Sequence, residues 1–146
     1  MDIMELFEEW EKDGEFNKAD LSKESLNIPK LHNKWYKVYM TERLKFKRLE
    51  SELKTLKAEK WEFYLDGPTE EHDALGWELP PKGKILRGDI QHYLDKDKDI
   101  VELTLKIAYQ YEIVDFCDAV LKMINNRGFQ IKSAIDFLKF TNGIDY

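Results

Sequence analysis

Residues 30 to 60 contain neither Pro nor Gly, and apolar side chains recur through them at steps of three and four. Leu31, Trp35, Val38, Glu42, Phe46, Leu49, Leu53, Leu56, Lys60 and Phe63 form one such series, and eight of these ten are apolar. The spacing lines one side of an α-helix with a coiled-coil-like seam, and one extra step of four after Val38 is a stutter. Pro29 is suited to a first helical turn, so the pattern predicts a helix from about residue 30 to Tyr64. At 1.5 Å per residue it spans roughly 50 Å. A helix of that length needs a second long helix, or other subunits, to cover its apolar stripe.

The remaining chain supplies one candidate. Ile100, Leu103, Ile107, Gln110, Val114, Cys117, Leu121 and Ile124 repeat by heptads. Asp97 and Asp99 stand before them, where acids suit the positive end of a helix dipole. This predicts a second long helix over about 98–126, with Gly128 as its C-cap. A final helix over about 130–141 presents Ile131, Ile135 and Leu138. A short amphipathic helix at 2–12 carries Ile3, Leu6, Phe7 and Trp10 and ends at Lys12-Asp13-Gly14. Asp66-Gly67-Pro68 and Pro80-Pro81-Lys82-Gly83 interrupt the middle, which reads as an irregular region with a short element near Ile85-Leu86 or Ile90 to Leu94. The sequence leaves open whether this region is ordered without assembly. The fold class is therefore all-α or nearly so, with two long helices in a helical hairpin and shorter helices flanking them. The chain divides into an acidic arm (1–29), a basic long helix (30–65), a loop region (66–96) and C-terminal helices (97–146), all within one helical domain.

At 146 residues there is room for one modest core and hardly for two. Charged residues reach 36%, which suits long helices that bury one stripe and expose the rest. No run approaches the ~18 apolar residues of a membrane span, and Asp2, Glu5, Glu8 and Glu9 break any signal-like start. Cys117 is the only cysteine, so no intrachain disulfide is possible and a reducing cytoplasm is expected.

Motifs for chemistry fail on inspection. The span from Gly83 to Gly88 has P-loop spacing, but Asp89 and Ile90 stand where Lys and Ser or Thr must hold phosphate and magnesium. Asp95, Asp97 and Asp99 imitate a calcium loop, but Ile100 and Lys106 replace the required Gly and Glu. His32, His72 and His92 lack metal-ligand spacing. Cys117, on an apolar stripe, reads as a small buried hydrophobe. No catalytic site, cofactor or metal is expected.

Charge is more informative. The whole chain carries −6, yet residues 30 to 60 hold ten Lys or Arg against four Glu, while residues 1 to 29 hold nine acids against three bases. One residue past the seam runs a lateral stripe of Tyr36, Arg43, Lys47, Glu50, Lys54, Lys57 and Trp61, with Met40 aligned. Cations neutralise phosphates and aromatic faces stack on unpaired bases, so the mixture favours single strands over duplex. The competing reading is a structural or adaptor coiled coil whose Lys-rich flank is merely solvated.

Asp97-Lys98-Asp99, Asp115-Phe116-Cys117, and Arg127-Gly128-Phe129 with Ile131-Lys132 together resemble, in order and spacing, the UvsY recombination mediators of T4-like phages. The likeness covers roughly residues 20 to 142. The family's DNA-contacting segment, Leu-Lys-Ala-Arg-Leu-Asp-Tyr-Tyr followed by Gly, resembles Leu56-Lys57-Ala58-Glu59-Lys60-Trp61-Glu62-Phe63-Tyr64, with Gly67 beyond it. Glu59 stands as an insertion that rotates the residues after it by ~100°, and the loop at 68–84 departs from the family in composition. The resemblance implies a non-enzymatic, ring-like homo-oligomer, a hexamer or heptamer, in the cytoplasm of an infected bacterial host. Its implied partners are single-stranded DNA, a phage single-strand-binding protein and a RecA-like recombinase that it helps to load. With the stripe, this makes Arg43, Lys47, Lys54, Lys57, Lys60, Trp61 and Tyr64 the expected nucleic-acid contacts. Leu49, Leu53, Leu56, Val114, Cys117 and Leu121 are the expected oligomerisation surface.

Overall fold

The structure, a computed structural model, describes residues 1–80 and 85–143. These residues contain five α-helices and no strand: α1 (Ile3–Asp13), α2 (Leu21–Asp66), α3 (Glu70–Ala74), α4 (Ile90–Lys96) and α5 (Lys98–Thr141), with a 3₁₀ turn at Arg87–Asp89. The all-α hairpin expected from the two seams is what forms. The expected turn at Pro80-Pro81-Lys82-Gly83 falls largely outside the described residues, as do Gly83 and Lys84 of the rejected phosphate loop.

Two helix boundaries differ from expectation. α2 starts at Leu21, nine residues before the expected start at Lys30, and Pro29 lies inside it. Asp20 is the start signal, because its side chain accepts from the Lys23 N–H at 3.1 Å. Pro29 removes one intrahelical bond and crowds the carbonyl of Ser25, a cost offset by packing of the flanking turns. α5 runs through Gly128, which is neither a cap nor in the left-handed region. The stop comes at Gly143, whose φ of 69° is open to glycine. Gly128 is exposed, and a Cβ there would meet nothing within 4 Å. Gly128→Ala is therefore expected to raise unfolding free energy by about 0.5–1 kcal/mol in urea titrations, through helix propensity alone.

The chain forms two units. The first comprises Met1–Leu44 and Tyr111–Tyr146. Its core joins Leu6 of α1, Leu31 and Trp35 of α2, and Ile113, Cys117, Val120, Leu121 and Ile124 of α5. Asp2 and Glu5 close a capping box at the start of α1. The acidic arm folds back on α2: Lys34 pairs with Glu9 and, at 2.7 Å, with Asp13. Asp13 also accepts from the Trp35 indole at 2.9 Å, and Trp10 meets Trp35 edge to face. Arg127 is 5% exposed and donates to the Asp13 carbonyl at 2.9 Å beside Glu24 at 3.4 Å. Burial pushes the Cys117 thiol up to about 11, so this side chain behaves as the inert hydrophobe expected.

The second unit is Lys45–Gln110. Its core joins Phe63 and Tyr64 of α2, Ile85, Ile90 and Leu94, and Ile100 of α5. The described parts of the irregular segment are packed here, with Trp77, Leu79 and Tyr93 against this core. His72 stacks on Trp77, and both rings meet Phe63 edge to face. Gly67 and Gly76 supply the left-handed φ values, 85° and 76°, at the two chain reversals flanking α3. In each unit the α2 and α5 stretches run antiparallel. Arg127 reaches back to Glu24 in the first, and Lys60 meets Asp99 in the second.

Candidate nucleic-acid interface

The ten seam positions of α2 are all buried or half-buried, and so are the eight of α5. Once the seam faces inward, the adjacent stripe must face outward. Arg43 in the first unit, and Lys47, Lys54 and Lys57 in the second, are exposed on α2. Helical geometry places the last three within about 80° of one another around the axis. Among the described residues none of the four has an ion-pair partner; Arg48, by contrast, pairs with Glu52 at 3.8 Å. Cations so placed keep their full donor capacity for an external anion. Lys34 differs, because the acidic arm already neutralises it.

Two expected contact residues lie elsewhere. Lys60 is 3% exposed and sits in the second core. Its ammonium lies 3.1 Å from Asp97 and 2.8 Å from Asp99, and 4.0 Å from the centre of the Trp77 ring. Tyr64 is 9% exposed, and its hydroxyl donates to Asp97 at 2.7 Å. Both side chains are turned inward because Lys60 occupies a seam position and Tyr64 follows Phe63 into the core. Trp61 is half-buried against the same core. Of the expected contacts, Lys47, Lys54 and Lys57 are exposed in the second unit and Arg43 in the first, while Lys60 and Tyr64 lie in the second core.

Asp97 organises that scaffold. Its carboxylate caps α5 by accepting the Ile100 N–H at 3.1 Å, while also receiving Tyr64 and Lys60. Burial alone would raise its pKa. The hydrogen bonds from Tyr64, Ile100 and Lys60, with the lysine's charge, more than offset burial and hold it below the ordinary carboxylate value. Burial and the bond to this anion push the Tyr64 hydroxyl well above its usual range, so it remains a donor. The sequence signals the cap, because acids before a seam mark a helix start, but not that Lys60 is its partner.

Most of the residues expected to form an oligomerisation surface are covered within the chain. Leu49 (2% exposed), Cys117 (0%) and Leu121 (8%) are consumed inside the subunit. Leu53 and Leu56 pack against the second core, and Val114 is half-buried. A heptad stripe covered by its own chain has little area left for another copy. Large apolar groups that stay exposed lie on other positions, notably Leu105, Phe129, Phe137 and Phe140 of α5.

Among the described residues no cluster of His, Cys, Asp or Glu could hold a metal ion, and no helix is long and apolar enough to cross a membrane.

The sequence matches the family model for UvsY, a recombination, repair and single-stranded-DNA-binding protein, over residues 9–144. It is 26% identical over 144 residues to the recombination protein uvsY of Enterobacteria phage T4, covering 98% of this chain and 99% of that protein. The fold is similar to two crystal forms of the bacteriophage T4 recombination mediator protein UvsY. One (lattice type II) has a TM-score of 0.78 at 25% identity, covering 97% of this chain and 98% of the other. The second (lattice type IV) has a TM-score of 0.77 at 24% identity, covering 97% and 99%. The exposed cations of α2 thus belong to a helical scaffold shared along nearly its whole length with a recombination mediator, and the chain is a member of the UvsY family of recombination, repair and single-stranded-DNA-binding proteins.

Proposed function

We propose that this protein is a recombination mediator that holds single-stranded DNA on the outward face of α2. In this role it helps a RecA-like recombinase onto DNA occupied by a phage single-strand-binding protein. The observation that carries the reading is the set of exposed cations Lys47, Lys54 and Lys57, none of them in an ion pair among the described residues, in a chain whose family binds single-stranded DNA. Each cation that meets a phosphate releases a condensed counterion, so several in a row give affinity without reading sequence. One subunit offers few such contacts. A homo-oligomer would repeat them, and a strand crossing several subunits would bind by avidity. Phe129, Phe137 and Phe140 leave apolar area on α5 that subunit contacts would cover. A ring of subunits, six or seven in number, bends the strand and so loosens the grip of the single-strand-binding protein while offering the DNA to recombinase. On α1 the exposed carboxylates Glu8 and Glu11 stand outside the contacts made by Glu5, Glu9 and Asp13 and are open to basic partner surfaces.

Fluorescence anisotropy with a labelled oligonucleotide, single-stranded against duplex and over a salt series, tests this. The expected result is single-strand preference with an affinity that falls steeply as salt rises. Absence of binding at low salt would leave the adaptor coiled coil as the better account.

A further inference from the structure

Beside Lys57 the second unit has a groove of about 330 Å³ that the phosphate-binding role does not use. It lies between α4 and α5. Leu94 and Ile100, 5% and 6% exposed, belong to the core below. Val101 and Leu105 line it while remaining 41% and 65% exposed. On the α4 side the Gln91 amide donates to Asp95 at 2.8 Å, leaving the second carboxylate oxygen of Asp95 as an acceptor. The groove thus combines an apolar lining, one cation from the α2 face and one hydrogen-bonding edge. Its size is at the small end of the ~300–1,000 Å³ typical of ligand clefts.

We propose that this groove receives an unpaired nucleobase from the strand whose phosphates lie along α2. The inference rests on the nucleic-acid reading above and adds where a base goes. Lys57 belongs to both features, which makes the groove continuous with the phosphate-binding face. A base has two apolar faces that aliphatic side chains can cover, and an edge of amino or imino donors suited to Asp95. A duplex keeps its bases stacked and their edges paired, so it has none to insert. The groove then supplies preference for single strands that cations alone cannot provide, since cations also bind duplex.

The test compares a base-bearing oligodeoxynucleotide with a fully abasic one of equal length, using full-length protein and a salt series. The wild-type protein is expected to bind the base-bearing strand roughly tenfold more tightly, about the value of one side chain's worth of apolar burial per subunit. Leu105→Gln is expected to bring the ratio of the two affinities toward one. Val101→Thr, which keeps shape and adds a hydroxyl, should lower it in the same direction if Leu105→Gln alters folding or assembly. Leu75→Gln, equally exposed but outside the groove, serves as the control and should keep the wild-type ratio. A ratio unchanged in both groove variants overturns the base site while leaving salt-dependent binding, and so the proposed function, intact. No salt-dependent binding to either strand overturns both together.

Discussion

Lys60→Met is expected to destabilise the protein by about 3–5 kcal/mol, the usual cost of removing one partner from a buried ion pair. The substitution preserves most of the aliphatic volume, so the loss comes from Asp97, whose side chain is 4% exposed and would keep its charge without its cation. Tyr64 and the Ile100 N–H still donate to it, which sets the loss below that of a fully orphaned carboxylate. For a chain of this size the melting temperature should fall by roughly 10 °C or more. Adding Asp97→Asn to Lys60→Met removes the unpaired charge and should recover part of the loss, a coupling that a double-mutant cycle in urea measures. If Lys60→Met melts like the wild type, the buried pair is not formed in solution and Lys60 returns to the DNA-facing set.

The same cluster fixes a pH dependence. Asp97 has a depressed folded-state pKa, so its contribution is fully present above the unfolded value of about 3.9 and is lost as pH falls through the lower folded value. Without Lys60, burial is opposed by fewer favourable interactions and the Asp97 pKa moves up. The acid unfolding limb of Lys60→Met should therefore begin at higher pH than that of the wild type, read by circular dichroism.

The second large effect is expected for Lys47→Gln, Lys54→Gln and Lys57→Gln combined. Each phosphate contact contributes about 0.7 to the slope of log affinity against log salt on a single strand, so losing three should flatten that slope by ~2. Affinity at low salt should drop on the order of 10²-fold. All three side chains are exposed and unpaired, so the unfolding free energy should stay within about 0.5 kcal/mol per site. Thermal melts then separate a binding defect from a folding one. An unchanged slope would move the strand off this face of α2. Comparing the triple variant with Lys60→Met gives opposite patterns: binding lost with stability kept, against stability lost first.

The seams on α2 and α5 were legible because burial of a helix stripe depends on a spacing of three and four residues, which is local information. Even Glu42 and Lys60, the two charged positions in the α2 series, are buried where the spacing puts them, at 5% and 3% exposure. The exposure of Lys47, Lys54 and Lys57 comes from the same geometry, one residue further round. Helix ends were less legible. Pro29 and Gly128 are breakers by propensity, worth a few kcal/mol at most, and packing of the flanking turns outweighs them. Asp20 and Gly143, whose cap geometry meets the chain ends directly, prevailed instead.

Spacing along the chain therefore sets the register of the two long helices, and with it which cations face water. What each buried polar group meets depends on the folded chain. Lys60 finds Asp97 and Asp99 only because α5 runs back beside α2. Likewise, Leu49, Cys117 and Leu121 are buried within the chain, since the hairpin closes on itself. Periodicity specifies that a stripe must be covered; only folding specifies which segment covers it, because the covering residues are distant in the chain and apolar surface does not discriminate among them.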